Sequence, residues 1–120
     1  MPDSDLKFLI VDDNSGMRET LKRFVMKPAD EVIECGDGRD ALKLYQQHQP
    51  DWVLMDINMK EVNGIEATVS ITSSDPTAKV IIVTDYGDKS FRRAAKEAGA
   101  HSFVAKENLS ELESIIRKKI

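Results

Sequence analysis

Short apolar runs alternate with helix-type patterns along the whole chain, and this alternation limits the possible folds more than any other feature. The runs occupy residues 8–11, 52–55, 80–83 and Ser102–Ala105, with a weaker one at 31–34. The first run shows no in–out alternation, as expected of a strand covered on both faces. A regular succession of strands and helices predicts a mainly parallel sheet with helices on both sides.

The segments between these runs place apolar residues at helical spacing. Asn14 or Ser15 can cap the first helix, and Pro28 ends it. Further helices are predicted at about residues 38–48 and 65–73, the latter poor in strong helix formers. The apolar face of the first helix is Met17, Leu21, Phe24 and Val25, and that of the second is Ala41, Leu42 and Tyr45. The apolar face of the fourth helix is Phe91, Ala94, Ala95 and Ala98, and that of the fifth is Leu109, Leu112, Ile115 and Ile116.

Right-handed crossovers leave few ways to arrange five strand–helix units in one sheet. The flavodoxin-like strand order 2-1-3-4-5, known from other doubly wound sheets, is the leading choice. We therefore predict an α/β fold with a doubly wound (βα)5 parallel sheet. A length of 120 residues fits one compact domain.

Composition argues against several classes of protein. A net charge of -4 and a pI of about 5.2 are unlike a nucleic-acid-binding surface, which needs clustered positive charge. With Cys35 as the single cysteine, no internal disulfide can form, and a cytoplasmic location is the simplest interpretation. No apolar segment approaches the ~20 residues needed to span a bilayer, so no membrane contact is expected.

Polar side chains follow four of the five apolar runs, at the point where each strand ends. They are Asp12, Asp13, Asp56, Thr84 and Lys106. In an open parallel sheet, ligands bind at the carboxyl ends of the strands. These groups are therefore expected to converge on one crevice, although they are far apart in sequence.

The chemistry of these groups is complementary. The carboxylates of Asp12, Asp13 and Asp56 would repel one another if all were ionised and unpaired, and Mg²⁺ bound by carboxylate, water and phosphate oxygens removes that cost. A carboxylate can also attack phosphorus and become an aspartyl phosphate. The hydroxyl of Thr84 and the ammonium of Lys106 would then hold the remaining phosphoryl oxygens.

Each residue has a simpler explanation when it is taken alone. Asp12 and Asp13 can be loop residues beside a helix cap, and Asp56 can be a turn residue. Thr84 can be an ordinary strand residue, and Lys106 a solvated surface lysine. Their joint occurrence at four strand ends favours a functional site, because chance would scatter them over both edges of the sheet.

Four segments of the chain resemble the receiver domains of two-component response regulators. They are Val11-Asp12-Asp13, Met55-Asp56-Ile57-Asn58-Met59, Val83-Thr84 and Gly99-Ala100-His101-Ser102-Phe103-Val104-Ala105-Lys106. The similarity covers about residues 6–118, the core of a single receiver domain over 1–120. It implies a phosphorylatable signalling module that accepts phosphate from a sensor histidine kinase or phosphotransfer protein and switches a downstream output domain or protein.

The resemblance also assigns roles to individual residues. Asp56 would be the phosphoacceptor and a metal ligand. Asp13 would bind Mg²⁺ directly, Asp12 mainly through water, and Asn58 through its backbone carbonyl.

The remaining roles implied by the resemblance concern the phosphoryl group and the switch. Thr84 and Lys106 would bind the phosphoryl oxygens. Thr84 and Phe103 would move together on phosphorylation, changing the surface formed by the fourth helix, fifth strand and fifth helix. Plain core packing is the alternative role for Phe103.

Three positions depart from the usual pattern of this family. Lys60 replaces a common proline and is expected to loosen the loop beside the metal. Glu107 replaces the proline that often follows the lysine, so the Lys106–Glu107 bond is expected to be trans, since cis would cost ~2.5–4 kcal/mol. Asp85 replaces a small residue; it can repel an incoming phosphoryl group or be an ordinary solvated side chain.

Two other functions remain open from sequence. A degenerate receiver would keep the fold and bind partners without phosphate. A Mg²⁺-dependent phosphatase usually carries a second aspartate two residues after the nucleophile, where this chain has Asn58, so enzymatic turnover is not expected beyond the modification and its removal at Asp56. Residues 108–112 resemble receivers that precede a DNA-binding domain and suggest transcription regulation, although nothing in this segment is expected to bind DNA itself.

Overall fold

The computed structural model describes residues 6–57, 59, 63–85 and 89–117, except for the side chains of 89 and 90. The strands are β1 (Lys7–Val11), β2 (Glu31–Cys35), β3 (Trp52–Asp56), β4 (Val80–Thr84) and β5 (Ser102–Ala105). The α-helices are α1 (Ser15–Val25), α2 (Ala41–His48), α3 (Gly64–Ser74), α4 (Lys89–Glu97) and α5 (Glu111–Ile116). Within these ranges no helix is long and apolar enough to cross a membrane.

The strands form one parallel sheet in the order β2-β1-β3-β4-β5, which confirms the predicted fold. Val11 at the end of β1 pairs with Met55 in β3, and Asp56 pairs with Val83 in β4. The last residues of β4 and β5 also pair with each other. The carboxyl ends of these strands therefore lie at nearly the same level along one edge of the sheet.

Successive residues of the strands pack on opposite faces of the sheet and form two cores. The core beneath α2, α3 and α4 includes Val11, Met55, Tyr45, Ile71 and Ala95. The core beneath α1 and α5 includes Phe8, Ile10, Leu54, Leu21 and Leu112. Helices cover both faces, which explains why the strands carry no alternation of apolar and polar residues.

The predicted cap of α1 is present, and α4 also ends in a cap. Asn14 Oδ1 accepts the backbone N–H of Met17 at 2.8 Å and so caps α1. After α4, Gly99 has a φ of 96°, a left-handed conformation that glycine adopts without steric cost. Ser110 precedes α5, but its side chain makes no capping hydrogen bond.

The helix predicted at 38–48 is divided in two. A 3₁₀ turn covers Gly38–Asp40, and α2 begins only at Ala41. Asp37 stabilises the turn, since its carboxylate accepts the backbone N–H of Arg39 at 2.9 Å. Apolar spacing alone could not distinguish the two helix types over a single turn.

The apolar face predicted for α1 is partly wrong. Leu21 and Val25 are buried, whereas the side chain of Phe24 is 44% exposed. Phe24 lies about 100° around the helix from Val25. The sheet covers the side of α1 that carries Leu21 and Val25, and Phe24 is left at the margin of the buried stripe.

Asp30, just before β2, ties the start of the sheet to the chain after α5. Its carboxylate accepts the backbone N–H groups of Leu6 at 3.0 Å and Lys27 at 2.9 Å. It also pairs with the guanidinium of Arg117, which donates to the carbonyl of Val25 at 3.1 Å. Burial raises the pKa of Asp30, but the hydrogen bonds and Arg117 outweigh burial, and the pKa lies below its ordinary value.

The substitution Asp30→Asn should lower the free energy of unfolding by about 3 kcal/mol at neutral pH, because it removes the anion that faces the buried Arg117 guanidinium. Since the pKa of Asp30 is lower in the folded than in the unfolded state, its stabilisation is present at neutral pH. That stabilisation is lost as the pH falls below about 4. The difference between wild type and variant should therefore shrink in acid, as measured by denaturant unfolding at several pH values.

Asp51→Asn is the matched control, because the exposed Asp51 carboxylate accepts the N–H of Lys7 at 2.8 Å but has no cation partner among the described residues. It should cost about 1 kcal/mol. A stability difference for Asp30→Asn that stays constant from neutral pH into acid would contradict the role assigned to its charge.

Candidate functional site

The structure brings the polar residues at the strand ends together at one edge of the sheet. Lys106, directly after β5, has its Nζ 3.4 Å from Oδ1 of Asp56 and 3.6 Å from Oδ2 of Asp12. Thr84, the last residue of β4, is fully buried and pairs in register with Ala105, the neighbour of Lys106. Groups that follow β1 and β5 thus share one crevice with Asp56 of β3, and Thr84 of β4 lies at the same edge of the sheet.

Three carboxylates form an acidic cluster in this crevice. One oxygen each from Asp12, Asp13 and Asp56 lies within 4.8 Å of the others. Asp12 and Asp56 are almost fully buried, whereas Asp13 is exposed. Two of the acids are therefore buried side by side at the end of the sheet, and the third is accessible to solvent.

Asp12 contains a buried oxygen that accepts no hydrogen bond from the described residues. Its Oδ1 accepts the N–H of Asn14 at 2.9 Å, while Oδ2 has no hydrogen bond within that part of the chain and only the Lys106 ammonium near it, at 3.6 Å. Burial raises the pKa of Asp12, and the Asn14 N–H and the Lys106 ammonium lower it only in part. A cation would stabilise this oxygen, and carboxylate oxygens are the ligands that Mg²⁺ prefers. The cluster therefore fits a small divalent cation.

Lys106 is the cation that faces these acids. Burial lowers its pKa, but Asp56, Asp12 and Asp85 outweigh burial and hold the pKa above its ordinary value. Its Nζ lies 4.0 Å from Oδ2 of Asp85, whose side chain is 67% exposed. The lysine is thus charged over the whole physiological range and is positioned to hold an anion beside Asp56.

The peptide bond after Lys106 is trans, as predicted, since no peptide bond between described residues is cis. The chain continues into a 3₁₀ turn over Lys106–Asn108, in which Glu107 is exposed. Asn58 and Lys60 lie outside the described residues. The carbonyl ligand expected from Asn58 and the loosening expected from Lys60 therefore stay predictions.

Phe103 lies on β5 at the border between core and surface. It is half-buried, packs against the core beneath α4, and carries the Arg92 guanidinium 4.7 Å from its ring centroid. It borders a groove of about 350 Å³, which is lined by Arg92, Ala95, Lys96, Ala100, His101, Ser102 and Phe103. The ring therefore contributes both to packing and to the surface between α4 and β5.

Gly64 is a positioning residue that sequence reasoning missed. A Cβ on Gly64 would lie 2.0 Å from the carbonyl oxygen of Asp56, well inside van der Waals contact. The absent side chain lets the start of α3 approach the end of β3, where the Gly64 N–H donates to the carbonyl of Ile57 at 3.0 Å. The sequence signal was only a glycine after Asn63, which did not reveal the approach of two segments.

Comparison with known proteins gives a single family. The family model described as "Response regulator receiver domain" matches residues 8–117. The chemotaxis protein CheY of Thermotoga maritima is 42% identical over 101 residues, covering 83% of this chain and 84% of the relative. The transcriptional regulatory protein DegU of Brevibacillus brevis is 36% identical over 107 residues, covering 88% of this chain but only 45% of the relative.

A solved structure gives the same result. A chain in the crystal structure of the CheX–CheY–BeF3–Mg²⁺ complex from Borrelia burgdorferi matches with a TM-score of 0.83 and 26% sequence identity. The match covers 94% of this chain and 90% of that chain. The present chain belongs to the response regulator receiver domain family, and it is a phosphorylatable receiver module of two-component signalling.

The substitution Gly64→Ala should lower the free energy of unfolding by about 3 kcal/mol, because the new methyl group can fit only if α3 and the end of β3 separate. Thermal or denaturant unfolding measures the change. Gly16→Ala in α1 is the control: its Cβ would meet only the Asn14 side chain, at 3.2 Å, and its effect should stay within about 1 kcal/mol. Equal stability losses for the two variants would contradict the close approach at Gly64.

Proposed function

We propose that Asp56 is the residue that accepts the phosphoryl group. The observation that carries the proposal is the Lys106 ammonium, which lies 3.4 Å from a carboxylate oxygen of Asp56 at the end of the central strand. An ammonium at this position can neutralise the charge that phosphorylation adds to Asp56. A carboxylate oxygen of Asp56 would attack the phosphorus of a phosphohistidine, and the P–N bond to the histidine would break.

Mg²⁺ is the proposed cofactor, held by Asp12, Asp13 and Asp56 together with the backbone carbonyl of Asn58. The clustered acids and the buried Asp12 oxygen, which accepts no hydrogen bond from the described residues, support this assignment. When bound, the ion would neutralise the acids and the transferring phosphoryl oxygens. Mg²⁺ and BeF3 are part of the complex that contains the similar Borrelia burgdorferi chain.

Thr84 and Lys106 are proposed to hold the phosphoryl oxygens, one through its hydroxyl and the other through its ammonium. Thr84 is buried at the end of β4 and Lys106 follows β5, so both come from rigid strands. Only modification at Asp56 and its reversal are proposed, without turnover of a separate substrate. Positioned groups are sufficient for such chemistry, since phosphoryl transfer depends mainly on geometry and charge stabilisation.

The output of the switch is proposed to pass through Thr84 and Phe103 to the groove between α4 and β5. Phe103 borders both the core and this groove, so a change in its position would alter the surface beside Arg92. Phosphorylation would shift the population between two surface states that differ in affinity for an output domain or protein. The phosphate source is proposed to be a histidine kinase or a phosphotransfer protein.

The proposed role in transcription and the proposed cellular location rest on evidence from outside the crevice. Transcription regulation is supported by DegU-like relatives, of which this chain spans about half the length or less. We propose a cytoplasmic location, based on the single buried thiol of Cys35. A degenerate, phosphate-independent receiver is not favoured, because the acids and the lysine meet in one crevice.

The central test is labelling with acetyl phosphate in the presence of Mg²⁺, read by intact-protein mass spectrometry. Wild type should gain one phosphoryl group, and chelation of Mg²⁺ should abolish the gain. Asp56→Asn should stay unlabelled because the nucleophilic carboxylate is gone. Asp51→Asn, which changes an exposed acid at the opposite end of β3, should label like wild type.

Three outcomes would overturn the proposal in different ways. Labelling that persists in Asp56→Asn would place the acceptor elsewhere. No labelling of wild type, together with no response to beryllofluoride and Mg²⁺, would favour the degenerate receiver. Multiple turnover of phosphate esters would favour an enzyme.

The position of Asp85 predicts an effect on the rate at which Asp56 is labelled. Its carboxylate approaches Lys106 at 4.0 Å and adds negative charge beside the crevice that an anionic phosphodonor must enter. Asp85→Ala should therefore speed the labelling of Asp56, by at most about fivefold for an exposed charge pair in water, which is worth about 1 kcal/mol. Reactions quenched at increasing times measure the rate, and added salt should reduce the difference in rate between the variant and wild type.

Asp51→Ala serves as the control for the change in net charge, because Asp51 lies at the other end of the sheet. An equal rate for Asp85→Ala and wild type would show that Asp85 is an ordinary solvated side chain, and a slower rate would contradict repulsion of the phosphodonor.

A further inference from the structure

Arg18, on the first turns of α1, contacts the backbone of the acidic cluster. Its Nη1 donates to the carbonyl oxygen of Asp12 at 2.6 Å, and its Nε donates to Oε1 of Glu34 at 2.8 Å. The Arg18 side chain is only 19% exposed. One guanidinium therefore connects α1, the end of β1 and strand β2.

Two neighbouring features define where the guanidinium lies. Oε2 of Glu34 accepts the ammonium of Lys22 at 2.9 Å, which orients the carboxylate toward Arg18. Gly36 leaves room on the other side, since a Cβ there would lie 3.3 Å from Nη1 of Arg18. The planar guanidinium suits this position, because it fixes donors in one plane that reach two different acceptors, a geometry that lysine lacks.

The carbonyl that Arg18 contacts lies in the peptide plane between Asp12 and Asp13. The N–H of Asp12 is also fixed, because it donates to the carbonyl of Cys35 at 3.0 Å. Rotation of the Asp12–Asp13 peptide would redirect the side chain of Asp13 and move that of Asp12. The hydrogen bond from Arg18 therefore restrains the backbone that carries both carboxylates.

We infer that Arg18 is a positioning residue that increases the affinity of the acidic cluster for a divalent cation. This inference rests on the proposed function, in which the cluster binds Mg²⁺. The position of Arg18 and its positive charge have opposite effects on the affinity for a cation. As a nearby positive charge, Arg18 would weaken cation binding, whereas as a donor that orients the Asp12–Asp13 peptide it strengthens binding.

The opposite signs allow a direct test with two variants. Arg18→Met removes both charge and donors but keeps an apolar stem of similar length. Arg18→Lys keeps the charge but loses the two-donor geometry. Mn²⁺ titration, followed by the electron paramagnetic resonance signal of the free ion, measures the affinity, and Mg²⁺ competition gives the value for Mg²⁺.

Arg18→Met should bind Mn²⁺ about tenfold more weakly than wild type, as is typical when a group that orients metal ligands is removed. Arg18→Lys should also bind more weakly. If Arg18 acted through charge alone, Arg18→Met would bind more tightly and Arg18→Lys would equal wild type. Either of those results, or equal affinity in all three proteins, would overturn the inference.

Controls separate this effect from loss of folding and from failure of the proposed function. Arg23→Met makes the same chemical change at an exposed position on α1 and should leave the affinity unchanged. Unfolding of the metal-free proteins shows whether each variant is folded during the titration. If Arg18→Met does not fold, Glu34→Gln, which weakens the orientation of Arg18, should still reduce the affinity, and an unchanged affinity there would overturn the inference. Absence of Mn²⁺ binding by wild type would overturn both the inference and the proposed metal site.

Discussion

Three carboxylates meet within 4.8 Å at one end of a parallel sheet, and much of the surrounding structure compensates for their charge. Burying two acids with little solvent is costly unless cations or hydrogen-bond donors face them. Lys106 supplies a cation to Asp56 and Asp12, and the N–H of Asn14 supplies a donor. Oδ2 of Asp12, which Lys106 approaches at 3.6 Å, still accepts no hydrogen bond from the described residues. The compensation of the negative charge is therefore incomplete, and an added cation would complete it.

The sheet makes this arrangement possible because parallel strands deliver their carboxyl ends to a single edge. Asp56 ends β3 at the level where Val83 and Thr84 end β4, and Lys106 follows β5 directly. These strands have apolar cores on both faces, so their ends are held rigidly. Local devices refine the positions: Gly64 admits α3 beside Asp56, and Arg18 holds the carbonyl of Asp12.

Two of the three departures from the usual family pattern lie beside the site rather than in it. Asp85 is exposed and approaches Lys106, while Glu107 is exposed in the turn after it. Neither residue removes the acids, the hydroxyl or the lysine. Such neighbours change the charge and access around a reacting group, so they act on the rate of modification more than on its chemistry.

The sequence by itself determined the parallel βα sheet, the main helices and the identity of the polar residues at the strand ends, whereas the strand order came from analogy with other doubly wound sheets. Periodicity and apolar runs report which faces are buried, and βα alternation leaves few topologies. Only the tertiary structure decided which helix margin stays exposed at Phe24, how closely α3 approaches Asp56, and that Arg18 reaches Asp12. The physical reason is that these features depend on how α1 and α3 pack against the sheet, even where the partners are close in sequence, as Arg18 and Asp12 are. Local sequence patterns contain no information on that packing.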